Sequence, residues 1–247
     1  MTETLPVAEV FEVRRIRLQE TGAPPLSRAD AAARDRVWQE KVTANPSLFD
    51  GPVAACAGVR WEGEGSLVLD WARVTYRHYA LRRAGVTAWL PSLYVSVVQP
   101  VEGGLLVARM SASTAAPGRW QLPGGSVEPP GGDQVLDEAA LRREAVCELA
   151  EEIGLHVPPA RLTLWAMARG KHGNTGVMFR APEQSWRTLQ TCYAALVAAD
   201  RARGCEPELD RIARVRSAGD LAGLDGPHVD YLEPIVRRYA AEASPPP

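Results

Sequence analysis

Apolar and polar positions change period several times along this chain, and each change marks an element. Phe11 and Val13 alternate with Glu12 and Arg14, then Ile16 and Leu18 with Arg15 and Arg17. Period two predicts a strand over 11–18, although the phase slips between Val13 and Ile16. Thr21-Gly22-Ala23-Pro24-Pro25 breaks it. Ser27 is placed to cap a helix over 29–43 whose apolar residues are Ala31, Val37, Trp38 and Val42, and Asn45-Pro46 stops it. Strands at 54–61 and 66–73 make a hairpin across Glu62-Gly63-Glu64-Gly65, with Trp61 expected in its core. A short helix over 75–83 closes at Gly85.

The run Leu93-Tyr94-Val95-Ser96-Val97-Val98 predicts a buried strand over 92–99, and Gly103-Gly104 leads into another at 105–109. Further strands are expected at 162–168, 176–180 and 211–215. Leu189, Tyr193, Leu196 and Val197 give 185–203 a helical spacing. Leu232, Ile235, Val236 and Tyr239 do the same for 229–241, with Pro234 as the alternative start, since proline suits a first turn and breaks a later one. The final residues, 244–247, are expected to be a disordered tail.

Composition adds limits. The chain has 247 residues, 46% of them hydrophobic, enough for a sizeable core. A net charge of −2 with no basic block argues against a nucleic-acid surface. No apolar run is long enough to span a membrane. Met1-Thr2-Glu3-Thr4-Leu5 has no cationic segment leading into an apolar one, so no secretion signal is expected. Cys56, Cys147, Cys192 and Cys205 lack metal-site spacing and fit reduced thiols in a cytoplasmic protein. No linker interrupts the chain near residue 90. Residues 1–90 are therefore expected to pack as a strand and helix extension on a domain at 91–243.

The chemistry concentrates in one stretch. Leu122-Pro123-Gly124-Gly125-Ser126-Val127-Glu128-Pro129 is a glycine turn, and a helix bearing Glu148, Glu151 and Glu152 ends before Gly154-Leu155. Residues three and four apart share a helix face, so three carboxylates crowd together, with Glu144 one turn earlier. Like charges at that spacing repel unless a cation joins them, and Mg²⁺ prefers carboxylate oxygens shared with substrate phosphates. An acidic run alone is usually a solvated face. The glycines upstream, which let backbone approach a ligand, and Gly154, suited to a left-handed helix stop, change that balance.

The stretch resembles the signature of the Nudix hydrolases, whose helix ends Arg-Glu-apolar-x-Glu-Glu-x-Gly-apolar. Here it reads Cys147-Glu148-Leu149-Ala150-Glu151-Glu152-Ile153-Gly154-Leu155, departing at Cys147. The spacer from Pro130 to Asp137 is also longer than the family's usual loop. The resemblance implies an α/β/α sandwich with a mixed sheet. It implies metal held by Glu148, Glu151, Glu152 and the Gly124 carbonyl, and one glutamate as general base, with Glu144 and Glu128 as further candidates. The metal would be Mg²⁺, or Mn²⁺ in its place. Arg143, one turn before Cys147, could supply the guanidinium that the family places at 147. Cys147 itself reads as a small apolar filler.

The front part is similar to the Nudix motif 22 branch, a UDP-glucose and UDP-galactose pyrophosphatase, and to the plant GDP-mannose pyrophosphohydrolase. The matching segments are 45–51, 61–65 and 75–77, with Gly124-Gly125-Ser126-Val127-Glu128-Pro129. That likeness implies hydrolysis of a nucleotide sugar to a nucleoside monophosphate and a sugar 1-phosphate. Gly124, Gly125, Glu128, Tyr76, Arg77 and Lys171 are then candidates for touching substrate, and His172 for proton transfer. Other readings keep the fold but change the substrate to ADP-ribose, a dinucleotide or coenzyme A, or make the chain a non-catalytic nucleotide-binding module. The front part could also serve a homodimer.

Overall fold

The phase slip in the first predicted strand is a corner. In the computed structural model, which describes residues 8–132 and 134–243, β1 (Glu9–Glu12) and β2 (Arg15–Thr21) belong to different sheets. Between them the Arg14 and Arg15 amides both donate to the Gly65 carbonyl, at 2.7 and 3.1 Å. Val13 is buried at the bend. The single strand expected over 11–18 is thereby corrected. The expectations for the extreme termini, the missing secretion signal and the disordered tail, lie outside the described residues.

α1 (Arg28–Ala44) starts at Ser27, whose hydroxyl accepts from the Asp30 amide. β3 (Pro52–Gly63) and β4 (Ser66–Thr75) form the expected hairpin. Trp61 is not in its core: β3 pairs with β4 on one side only and carries irregularities between Cys56 and Gly58 and between Trp61 and Gly63, and Trp61 is 45% exposed with its ring against Phe11. The helix expected over 75–83 is a 3₁₀ turn, Tyr76–Tyr79, followed by the single turn α2 (Ala80–Arg83).

Then come β5 (Leu93–Val98), β6 (Pro100–Val101), β7 (Gly104–Met110), β8 (Trp120–Gln121) and the long helix α3 (Glu138–Ile153). β9 (Thr163–Arg169), β10 (Thr175–Arg180), α4 (Trp186–Ala202), β11 (Leu209–Val215), α5 (Ala218–Leu221) and α6 (Leu232–Ala243) complete the chain. Ser185 caps α4 through its side chain, and Pro234 lies in the first turn of α6, where its missing N–H costs no hydrogen bond.

Strand order is β1-β9-β10-β5 in one sheet and β11-β7-β6, with β8 on β7, in a second; β2-β4-β3 form a third. β10 and β5 run parallel, as do β2 and β4, and the other pairs are antiparallel. Alternate residues of the central strands face opposite layers. Val95, Val97, Leu106, Met167, Val177 and Phe179 meet Leu141, Ala145, Leu149 and Ile153 of α3. Leu105, Val107, Ala166, Ala168 and Met178 meet Leu232, Ile235, Val236 and Tyr239 of α6. This is the expected α/β/α sandwich. Each fully buried leucine or isoleucine contributes roughly 1.5–3 kcal/mol of transfer free energy.

The front part is stitched to this sandwich by backbone. β1 extends the β9 edge, the Ala54 amide donates to the Val127 carbonyl and the Cys56 amide to the Pro91 carbonyl, both at 2.8 Å. Arg73 on β4 reaches the Pro130 carbonyl at 2.7 Å, pinning the long spacer. Among the described residues no helix is long and apolar enough to cross a membrane.

Candidate active site

α3 is held at both ends, and that fixes where its carboxylates point. The Asp137 side chain accepts from the Ala140 amide at 2.7 Å, capping the N-terminus. Gly154 ends the helix at φ 74°, in the left-handed region. With Leu141, Ala145, Leu149 and Ile153 facing the core, Glu144, Glu148 and Glu151 fall on the neighbouring stripe and Glu152 at its buried edge.

The glycine turn is hydrogen-bonded into the strand beside it. The Val97 amide donates to the Pro123 carbonyl and the Val95 amide to the Gly125 carbonyl, while the Gly124 carbonyl takes no part in that ladder. Gly124 is required by space. A Cβ at Gly124, where φ is 149°, would stand 2.1 Å from the Val95 carbonyl oxygen, and one at Gly125 would meet the Glu148 carboxylate.

Helix and turn are bonded to each other directly. Glu152, 3% exposed, accepts the Gly124 amide on Oε2 at 2.7 Å; its Oε1 is buried without a partner. Glu144 Oε1 accepts the Glu128 amide at 2.6 Å. Glu128 thus positions Glu144 through its backbone, while its own side chain is exposed.

Burial dominates the acid strengths here. It lifts Glu152 well above the usual carboxylate range, helped by the charges of Glu148 and Glu208 and opposed by the Gly124 hydrogen bond. Glu148 is raised to about 8 by burial and then by the charges of Glu208, Glu151 and Glu144. Glu144 is raised to about 7 by burial, against the lowering effect of the Glu128 amide. Glu208 is raised by burial and by Glu151.

Glu208 belongs to the same acidic group, and the sequence reading missed it. It lies just before β11, and its carbonyl accepts the Ser111 amide at 2.8 Å. Its local signal, Glu206-Pro207-Glu208 ahead of a strand, is indistinguishable from a solvated loop.

These residues could hold a hard cation. All the donors are oxygens, one of them a buried carboxylate oxygen with no partner, and one carbonyl beside it is outside the strand pairing. No three His, Cys, Asp or Glu side chains among the described residues converge tightly enough to enclose an ion as they stand. The Gly124 amide holds Glu152 to the turn, and the Glu128 amide holds Glu144.

Beside the turn opens a cavity of about 670 Å³. Tyr94, packed on Tyr231 with ring centroids 5.5 Å apart, lies in its wall with Ser96 and Gln121. Tyr76 reaches it from the front part, and burial together with the charge of Glu208 raises that phenol's pKa.

Two other candidates are not brought there. Arg77 is taken up locally: its amide donates to Asp50 Oδ1 at 2.8 Å. Its Nε lies 2.8 Å from Asp50 Oδ2, too poorly aligned for a hydrogen bond, and its Nη1 is 3.7 Å from Asp35. Lys171 is exposed, and its amide donates to Asp230 Oδ2 at 2.8 Å; Asn174 is the residue of that loop that lines the cavity. Arg143 is exposed and forms no ion pair with any described residue, so the guanidinium expected to stand in at Cys147 is not delivered to a glutamate. Cys147 is exposed too and fills no core position.

The family model of the NUDIX domain matches residues 91–239. The chain belongs to the Nudix family. Among solved structures, this Nudix chain is similar to a MutT/nudix family protein from Enterococcus faecalis, at 16% identity and TM-score 0.33 over 50% of this chain and 43% of that one. It is similar to the MutT protein from Methanosarcina mazei Go1, at 19% and 0.39 over 63% and 97%. It is also similar to a bifunctional NMN adenylyltransferase/ADP ribose pyrophosphatase from Francisella tularensis, complexed with AMP and a Mn ion, at 12% and 0.40 over 62% and 42%. The chain spans less than half the length of the Enterococcus and Francisella proteins. No curated protein matches the sequence.

Proposed function

We propose that this Nudix protein hydrolyses the diphosphate bond of a nucleotide sugar, of the UDP-glucose or UDP-galactose kind, to a nucleoside monophosphate and a sugar 1-phosphate. One observation carries the reading: Glu144, Glu148, Glu152 and Glu208, all with raised pKa, surround a glycine turn at the edge of a nucleotide-sized cavity.

Glu148, Glu151, Glu152 and the Gly124 carbonyl would hold Mg²⁺, or Mn²⁺ in its place. Bound there, the metal would supply charge neutralisation at the phosphates and a more acidic water. The chain's own residues supply the rest. The Gly124-Gly125 backbone gives close access to the phosphates. Glu144, at about 7, is suited to exchanging a proton with the attacking water near neutral pH, because a base works best with a pKa near the working pH. The front part supports a sugar nucleotide over a smaller substrate, since Tyr76 and the 47–49 loop form one wall of the cavity.

The test is Mg²⁺-dependent turnover of UDP-glucose, GDP-mannose and ADP-ribose with product identification, using Glu152→Gln as control. Fastest release of a sugar 1-phosphate from UDP-glucose supports the reading. Preference for ADP-ribose would move the substrate while keeping the bond. Equal rates for Glu152→Gln and the parent would remove the glutamate assignment.

A further inference from the structure

The outer wall of the cavity carries two side chains that the glutamate chemistry leaves unused. Phe49 is 75% exposed, and of the exposed large apolar side chains among the described residues it alone lines the cavity. Among the described residues Arg119 is the one Lys, Arg or His in the lining. It is exposed and has no ion-pair partner among the described residues.

Both stand on loops that are tied down. Asn45 fixes the front loop from one end: its Oδ1 accepts the Ser47 amide at 3.1 Å and its carbonyl the Leu48 amide at 3.2 Å. Its Nδ2 donates to the Ser113 and Thr114 carbonyls at 3.0 and 3.1 Å, on the loop that leads to Arg119. The other end is fixed by the Tyr76 amide on the Gly51 carbonyl, at 2.9 Å, and by Asp50 on Arg77. The Phe49 ring lies directly on Gly51, where a Cβ would stand 2.6 Å from Cε2. An exposed phenyl ring, seated on bare backbone and braced on both sides, is a pre-ordered platform with little left to lose in conformational entropy.

The charges near it complete the pattern. Glu206, Glu208 and Asp230 line the same cavity, so a phosphorylated ligand entering it needs a cation, and Arg119 is the one present. We propose that Phe49 stacks the substrate's nucleobase and Arg119 pairs with its phosphate; this rests on the diphosphate hydrolysis proposed above and names the residues that read the nucleotide. Phenylalanine has no polar handle, so the platform selects for an aromatic base without choosing which one. Of the neighbouring hydroxyls that line the cavity, those of Ser113 and Thr114 are bonded to Ser111, which leaves the Ser47 hydroxyl to discriminate among bases.

Calorimetric titration with UDP, GDP, ADP and glucose 1-phosphate in Mg²⁺ tests this without turnover. Phe49→Ala is expected to weaken the best-bound nucleoside diphosphate about tenfold, Phe49→Leu nearly as much, and Phe49→Trp to restore it. Glucose 1-phosphate, lacking a base, should bind all three equally. Arg119→Ala should weaken both kinds of ligand by about tenfold or more. Equal nucleoside diphosphate affinity for the parent and Phe49→Ala, or no nucleoside diphosphate binding by the parent, would overturn the proposal. Nucleotide binding that depends on Phe49 without hydrolysis of any nucleotide sugar would instead remove the proposed function and leave this platform standing.

Discussion

Gly125 and Glu148 share one small space: a Cβ built on Gly125 would lie 2.2 Å from Glu148 Oε1. The turn and the helix are thus complementary down to a single methyl group. Gly125→Ala should displace the Glu148 carboxylate or the turn by about an ångström. Misplacement of that size at a reacting centre costs on the order of 10²-fold in rate. The stability cost should sit at the low end of overpacking, about 1 kcal/mol, because the Glu148 carboxylate is the end of a flexible side chain. Turnover and denaturant unfolding of Gly125→Ala, alongside Ser126→Ala as a neighbouring control, measure both effects.

Glu148 should make the metal-free protein sensitive to alkali. Its folded pKa, about 8, lies above the ordinary carboxylate value, so the native state keeps its proton to higher pH than the unfolded chain. Stability from this group is present at low pH and lost as pH rises from about 4.5 through about 8. In EDTA at pH 9, Glu148→Gln should therefore be more stable than the parent by about 1–3 kcal/mol, and equal to it near pH 5. Urea unfolding at the two pH values gives the comparison.

Mg²⁺ should reverse that order. A ligand at a hundred times its Kd adds about 2.7 kcal/mol to the state that binds it. The parent should gain Tm with added Mg²⁺, and Glu148→Gln should gain far less. Matching Mg²⁺ responses in the two proteins would take Glu148 out of the metal site.

His78 acts in the opposite pH direction. It is buried, and its Nε2 accepts the Leu90 amide at 2.8 Å, so the fold needs the ring neutral. Burial, and then the charge of Arg34, lower its pKa. Its contribution is present above about 6.5 and lost as the unfolded chain takes up a proton below that value. His78→Gln should flatten the fall in Tm between pH 7 and pH 5 relative to the parent.

Asn45 should matter more to substrate affinity than to folding. Losing its two bonds to the Ser113 and Thr114 carbonyls costs about 1–2 kcal/mol of stability. With the two loops released from each other, Asn45→Ala should raise KM for the proposed nucleotide-sugar substrate several-fold and leave kcat within about twofold. A change confined to kcat would argue that the brace serves the chemistry.

α3 could be read in advance because its instructions are local. The apolar residues every four positions, the glutamates beside them and Gly154 all lie within one helix, and the structure has the apolar residues in the core and Gly154 at the stop. Ser27 is legible for the same reason. Glu208 was not, because its place beside Glu148 depends on how β11 pairs with β7, a distance of a hundred residues along the chain. Arg77 and Lys171 carried the right chemistry in the wrong place. Asp50 is 27 positions from Arg77 and Asp230 is 59 from Lys171, and no periodicity marks such partners. The corner at Val13 was visible only as a lapse in alternation, because the Gly65 carbonyl that makes it comes from the far end of the next hairpin.

That corner decides how the molecule can be divided. With β1 forming the outer edge of the sheet that contains β9, a protein begun at residue 91 would leave four paired positions of β9, Ala166 to Arg169, without their neighbour. An open, apolar strand margin invites another chain to lie along it. A protein shortened to the Nudix domain is therefore expected to associate with itself more readily than the full chain.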